Sequence, residues 1–221
     1  MGEAQQANGP GIAPGSSFAQ TAAHLAEIGR EFHRRGWALG TSGNFSALVS
    51  REPLQLAITA TGLDKGALTA SHILCVDAEG NPSGGAGRSS SETPLHLAIV
   101  RLRGAGAVLH THSVWSTLLS EQHAAAGGIA VEGYEMLKGL AGIDSHEHRE
   151  WLPIIENSQN MQRLSFALER ILEKHPNSHG LLLRGHGLYS WGEDLAQAKR
   201  HVEVIEFLLE VLGRSRGAGA A

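Results

Sequence analysis

The chain predicts an α/β fold, a three-layer α/β/α sandwich built on a mainly antiparallel central sheet. Short strand-like runs follow one another directly (NFSALVS, LQLAIT, ILCVD), separated by turns rather than by helices. Amphipathic helical stretches flank and interrupt these runs without the one-to-one alternation that a parallel fold needs. A length of 221 residues with 42% hydrophobic content supports one compact domain with a substantial core.

The elements follow in order. From Ser17, the apolar residues Phe18, Ala22, Leu25, Ile28 and Phe32 recur at helical spacing and the pattern ends near Gly36, so a helix opens the domain. A turn at Glu52 and Pro53 separates the first two strands, and ILCVD is closed by AEGN. The segment GNPSGGAGRSSS is too rich in glycine and serine for regular structure. It leads into the helix ETPLHLAIVRLR, whose Leu95, Ile99 and Leu102 share a face. After the strand GAVLHTH come a short helix around Val114 to Leu119 and an irregular middle holding GYEMLKG. A strand at LPIIEN, a helix across MQRLSFALERILEKH, strands at GLLLR and GLYSW, and a long helix from Glu193 to about Leu212 complete the order. Residues 1–15 and 213–221 cannot bury enough apolar surface to offset their ordering entropy, so both read as loose tails around a single domain of residues 16–212.

A net charge of -4, with both signs interspersed, offers no basic surface for phosphate backbones and argues against a nucleic-acid partner. No apolar run approaches the roughly 20 residues of a membrane helix, and the opening MGEAQQANGP lacks the features of a signal peptide, so a cytoplasmic location is expected. Cys75, the sole cysteine, lies in the apolar run ILCV and reads as a core residue.

Two histidine pairs of the form HxH occur. With 13 histidines in the chain, chance supplies roughly one such pair, so spacing alone does not define a metal site. In a strand, side chains two apart share a face, so His110 and His112 converge while Thr111 turns away. His146 and His148, in DSHEHRE, have no apolar pattern to hold a strand and read as a solvated loop. A catalytic zinc typically takes three protein ligands and keeps a position open. His186 is the best third candidate, held between two glycines where strand-like runs meet; His96 and His179 read as polar residues satisfied locally. An imidazole set favours zinc, with iron, cobalt and manganese left open by ligand type.

Three further segments, GTSGNFS, ITATG and GRSSSET, are built for an oxyanion. Their glycines let backbone amides point inward, and Ser42, Asn44, Thr61, Ser90 and Ser91 add donors suited to a phosphate. Ser91 or its neighbour stands just before the helix beginning near Glu92, where the helix dipole favours negative charge.

Taken together, TSGN, TATG, SSSE, HTH and GHGL, spread from about Ser17 to Leu212, resemble the class II aldolase/adducin superfamily. The resemblance implies an antiparallel sheet flanked by helices, a homotetramer, and one zinc per subunit on His110, His112 and His186. It also implies a phosphate pocket made by Ser42, Gly43, Asn44, Thr61, Gly62, Ser90 and Ser91. Within the superfamily, EMLKG and PIIEN resemble the dehydratase branch of methionine salvage. That branch implies a lyase converting 5-methylthioribulose 1-phosphate to 2,3-diketo-5-methylthiopentyl 1-phosphate, with Glu135 as general acid and base. Glu92, in SSSE, occupies the place of the acid/base glutamate of the sugar-phosphate aldolases, where some dehydratases carry a cysteine. Glu135 is favoured for the chemistry, and Glu92 for binding substrate. The alternatives are an aldolase or epimerase of the fuculose or ribulose phosphate type, and a non-catalytic interaction domain like the adducin head.

Overall fold

The computed structural model describes residues 17–218. The expected N-terminal tail, residues 1–15, lies outside the described residues. Helix α1 (Phe18–Arg34) begins where Ser17 and Gln20 form a reciprocal capping box, which satisfies two of the donors that a helix start leaves free. Strands β1 (Asn44–Arg51), β2 (Leu54–Thr59) and β3 (Ile73–Val76) form an antiparallel meander, joined at its edge by β4 (Pro82–Gly84). Helix α2 (Thr93–Arg103) leads into β5 (Ala107–Thr111), which pairs with β1, and α3 (Val114–Gln122) follows. Then come β6 (Gly128–Val131), a 3-10 turn at Glu135–Gly139, β7 (Glu150–Ile155), α4 (Met161–Lys174), β8 (Gly180–Leu183), β9 (Gly187–Gly192) and α5 (Leu195–Ala218).

The nine strands among the described residues make one sheet in the order β4-β3-β2-β1-β5-β9-β8-β7-β6. Every pairing is antiparallel except β7 with β8, which α4 connects as a crossover. Alternate residues of the sheet feed two cores. Phe45, Ala107 and Leu109 pack with Leu25 and Phe32 of α1 and with Val202 and Ile205 of α5. On the other face Leu48 and Val108 pack with Leu95 and Ile99 of α2 and Leu168 of α4. Both faces are covered, so the predicted α/β/α sandwich is the observed architecture, and β5, β8 and β9 are buried along their whole lengths.

Four local expectations differ from the structure. The glycine- and serine-rich stretch after Asn81 contains β4, held to β3 by backbone pairing with all three of its residues exposed. The irregular middle contains β6, a four-residue edge strand on β7. The last helix does not stop at residue 212. Gly213 lies against the Trp115 indole and the helix runs on to Ala218, so of the expected C-terminal tail only residues 219–221 fall outside the described residues. Cys75 is half-buried rather than fully in the core.

Candidate metal centre

The central strand β5 ends in the first histidine pair. Its register sets His110 opposite Asn44 of β1 on one side and opposite Tyr189 of β9 on the other. Two glycines permit this close packing. Gly43 has a φ of +76°, and an added Cβ would stand 2.8 Å from the His110 carbonyl oxygen; a Cβ on Gly187 would collide with the Thr111 carbonyl. His186 sits at the turn between β8 and β9. That turn is pinned by the Thr117 hydroxyl donating to the His186 carbonyl at 3.0 Å and by the Gly185 amide donating to Ser120 Oγ at 3.1 Å.

The three imidazoles meet. Their Nε2 atoms are separated by 2.8 Å (His110 and His112), 3.2 Å (His112 and His186) and 3.3 Å (His110 and His186). Nitrogens at zinc-ligand distance around a tetrahedral ion lie about 3.3 Å apart, so the cluster has the right scale. The protonation pattern also suits a cation. His110 Nδ1 donates to the Leu188 carbonyl at 2.9 Å, which leaves its Nε2 with a bare lone pair. Burial holds all three rings below the ordinary histidine value, His112 at about 4, so each is neutral near pH 7. The His110 ring stacks on Tyr189, 3.9 Å between centroids, and the Nδ1 atom of His186 is buried with no partner among the described residues.

Beside the triad is a cavity of about 200 Å³ that collects Ser42, Gly43, Asn44, Thr61, Ser90 and Ser91, together with Glu92 and His112. Gly62 does not line it; it forms the adjoining turn, at a φ of +75°. Glu92 caps the start of α2 and faces the imidazoles, with its Oε1 3.5 Å from His186 Nε2 and its Oε2 3.8 Å from His110 Nε2. Asn44 donates from Nδ2 to Glu92 Oε2 at 2.7 Å, so its amide serves the carboxylate. Glu135 stands apart. Its side chain is 69% exposed on the 3-10 turn, paired with Lys138 and 3.9 Å from His146, and the hydrogen bond from Lys138 holds its carboxyl below the usual range.

The structure adds residues that sequence reasoning did not single out. Lys65 is almost fully buried and donates to the carbonyls of Thr41 (3.1 Å), which lines the cavity, and Leu63 (3.0 Å); burial lowers its pKa to about 8. Glu206 of α5 accepts from Thr111 Oγ1 at 2.6 Å on the face of β5 opposite the triad, and burial pushes its carboxyl up to about 7. The only signal for Lys65 was its place in TGLDKG, directly after the ITATG segment; Tyr189 and Glu206 depend on sheet register and helix docking, which sequence periodicity does not report.

A mixed sheet in this order, with two histidines at the end of its central strand meeting a third from the β8–β9 turn and a cavity of small polar residues alongside, defines a class II aldolase-type domain. The chain belongs to the family described as Class II Aldolase and Adducin N-terminal domain, whose profile matches residues 23–212. Within that family it is similar to the methylthioribulose-1-phosphate dehydratase of Sorangium cellulosum (strain So ce56), 44% identical over 197 residues that cover 88% of this chain and 92% of the relative. It is likewise similar to the methylthioribulose-1-phosphate dehydratase of Methylococcus capsulatus (strain ATCC 33009 / NCIMB 11132 / Bath), 43% identical over 203 residues, 91% of this chain and 97% of the relative. The fold matches that of L-fuculose-1-phosphate aldolase from Thermus thermophilus with a TM-score of 0.73 at 22% identity, covering 93% of this chain and 100% of that one.

Proposed function

We propose that this chain is a hydro-lyase of methionine salvage that dehydrates 5-methylthioribulose 1-phosphate to 2,3-diketo-5-methylthiopentyl 1-phosphate, working as a cytoplasmic homotetramer with one zinc per subunit. The observation that carries the reading is the convergence of three imidazole nitrogens beside a hydroxyl-lined cavity. The choice of substrate is supported by the identity to dehydratases over about nine-tenths of the chain.

His110, His112 and His186 would hold the zinc, which when bound supplies the Lewis acidity that makes the proton next to a ketone removable. Ser42, Gly43, Thr61, Ser90 and Ser91 grip the phosphate through hydroxyls and backbone amides, with Asn44 on the same wall and Gly62 shaping the adjoining turn. Their remote binding energy orients the sugar. Glu92, hydrogen-bonded by Asn44, receives a substrate hydroxyl beside the triad. Glu135 takes the C3 proton as general base and then, protonated, delivers it to the departing C4 hydroxyl, which leaves as water. The enol so formed tautomerises to the diketone. Its exposure, and that of Met136 beside it, supports a placement in which Glu135 serves the site of a neighbouring copy in the tetramer.

A second reading, an aldolase or epimerase, is favoured by one feature: Glu92 is the carboxylate that faces the triad of its own chain. One experiment separates the two. Purified protein is offered methylthioribulose 1-phosphate and, separately, fuculose and ribulose phosphates, and products are read by mass. Loss of one water from the first is expected; cleaved aldehyde fragments or an epimer from the others would replace the dehydratase reading. Metal analysis of the same sample tests the interaction-domain alternative, since such a domain needs no bound ion.

A further inference from the structure

Behind Glu92 lies a buried line of side chains of which the mechanism above uses only Asn44. Ser46 and His96 are fully buried, and Asn44 is nearly so. Burial lowers the pKa of His96 to about 3, so its ring is neutral in working conditions, with one donor and one acceptor nitrogen. Which nitrogen carries the hydrogen follows from the far end of the line. A carboxylate only accepts, so the Asn44 atom 2.7 Å from Glu92 Oε2 must be its NH₂ group, and Asn44 Oδ1 is left facing His96. That oxygen accepts from His96 Nε2–H. The remaining nitrogen, Nδ1, is then an acceptor, and it takes the Ser46 hydroxyl at 2.7 Å. Each donor along Ser46, His96 and Asn44 therefore points toward Glu92. Tyr189, itself stacked on His110, packs against the His96 ring in a T-shaped arrangement, 5.6 Å between centroids.

We infer that His96 is a positioning residue: through the Asn44 amide it holds Glu92 Oε2 toward the triad and so sets where a substrate hydroxyl meets it. The inference rests on the reading of the triad as the reaction centre. Position 96 is four residues from Glu92 and thus one helical turn into α2, which places the imidazole beneath the cap residue that it steadies.

The test uses the full-length, zinc-loaded protein. Nitrogen-15 histidine spectra are expected to show His96 neutral with its hydrogen on Nε2. Outer-shell partners of metal sites commonly matter by about 10- to 100-fold, so His96→Leu should lower kcat by about that factor, leave KM for methylthioribulose 1-phosphate within about threefold and keep zinc stoichiometric. His96→Gln, whose amide can donate from nearly the Nε2 position, should recover most of kcat. Should His96→Leu fail to fold, Ser46→Ala is read instead, with the hydrogen still on Nε2 and a smaller fall in kcat expected. A hydrogen on Nδ1 would overturn the inference. So would a fully active His96→Leu, or equal losses of zinc, KM and kcat that His96→Gln does not repair. A wild-type chain without dehydratase turnover would defeat the functional reading instead, and the tautomer would still decide the relay.

Discussion

The chain carries the same three-residue pattern twice and gives it two fates. His110 and His112 stand at the end of the central strand, where neighbours on both sides fix the backbone and the two rings share a face. His146 and His148 precede β7 in a turn; His146 is 56% exposed, while His148 donates to the buried Glu150 at 2.9 Å. Spacing is common to both pairs, and what separates them is whether sheet pairing holds the backbone so that period-two alternation applies. The second pair belongs to a structural cluster instead. Glu150 also accepts from the His179 ring at 3.0 Å and from the His179 amide at 2.9 Å, tying β7 to the entry of β8.

The sharpest break of this comparison is by substitution at each pair. His110→Ala or His112→Ala should lose stoichiometric zinc by elemental analysis and, with it, turnover, whereas His146→Ala and His148→Ala should keep both. Zinc retained after loss of His110 would sink the ligand assignment. Next in size, Glu135→Gln should keep zinc and substrate binding and lose turnover by about 10²- to 10⁴-fold, the usual range for a general base. Near-normal rates there, with Glu92→Gln inactive, would move the chemistry to Glu92.

A thermodynamic effect comes third. Burial pushes the Glu150 carboxyl up, but the hydrogen bonds and charge of His179 outweigh it and leave the group below its ordinary value, while burial pushes His179 down and Glu150 raises it overall. The carboxylate's contribution is therefore present above the usual glutamate pKa. That of the imidazolium is complete below the usual histidine pKa and fades as pH climbs through its raised folded value. Glu150→Gln should cost about 3 kcal/mol at pH 6, as for one partner removed from a buried pair, and less at pH 8.5, measured by urea unfolding. A cost that grows with pH would reverse the assignment. The smallest effect is His146→Ala, expected within about 0.5 kcal/mol of the parent by the same method, as for an exposed surface pair.

Much of this was legible beforehand. The opening helix, the three meander strands, and the convergence of His110 with His112 all express local rules, namely turn chemistry and periodicity. The gathering of the serine, threonine and glycine segments around one cavity was expected from their composition and from family resemblance, and the structure brings all of them but Gly62 together. What escaped depends on pairing between distant segments. Strand β4 shows no burial pattern because its residues are exposed and only backbone bonds make it a strand. The line from Ser46 through His96 and Asn44 to Glu92 joins segments far apart in the chain: in the sequence His96 reads as a polar residue satisfied locally, Asn44 and Glu92 read as substrate contacts, Ser46 carries no signal, and only the pairing of β1 with α2 links them.

The two glycines that press against β5 have a wider implication for how this scaffold can diversify. Hydrogen is the largest substituent that fits at positions 43 and 187 without pushing the central strands apart, so evolution or a protein engineer has no freedom there. New substrate preferences on this framework must be written in the surrounding loops, while the middle of the sheet stays as an unalterable mount.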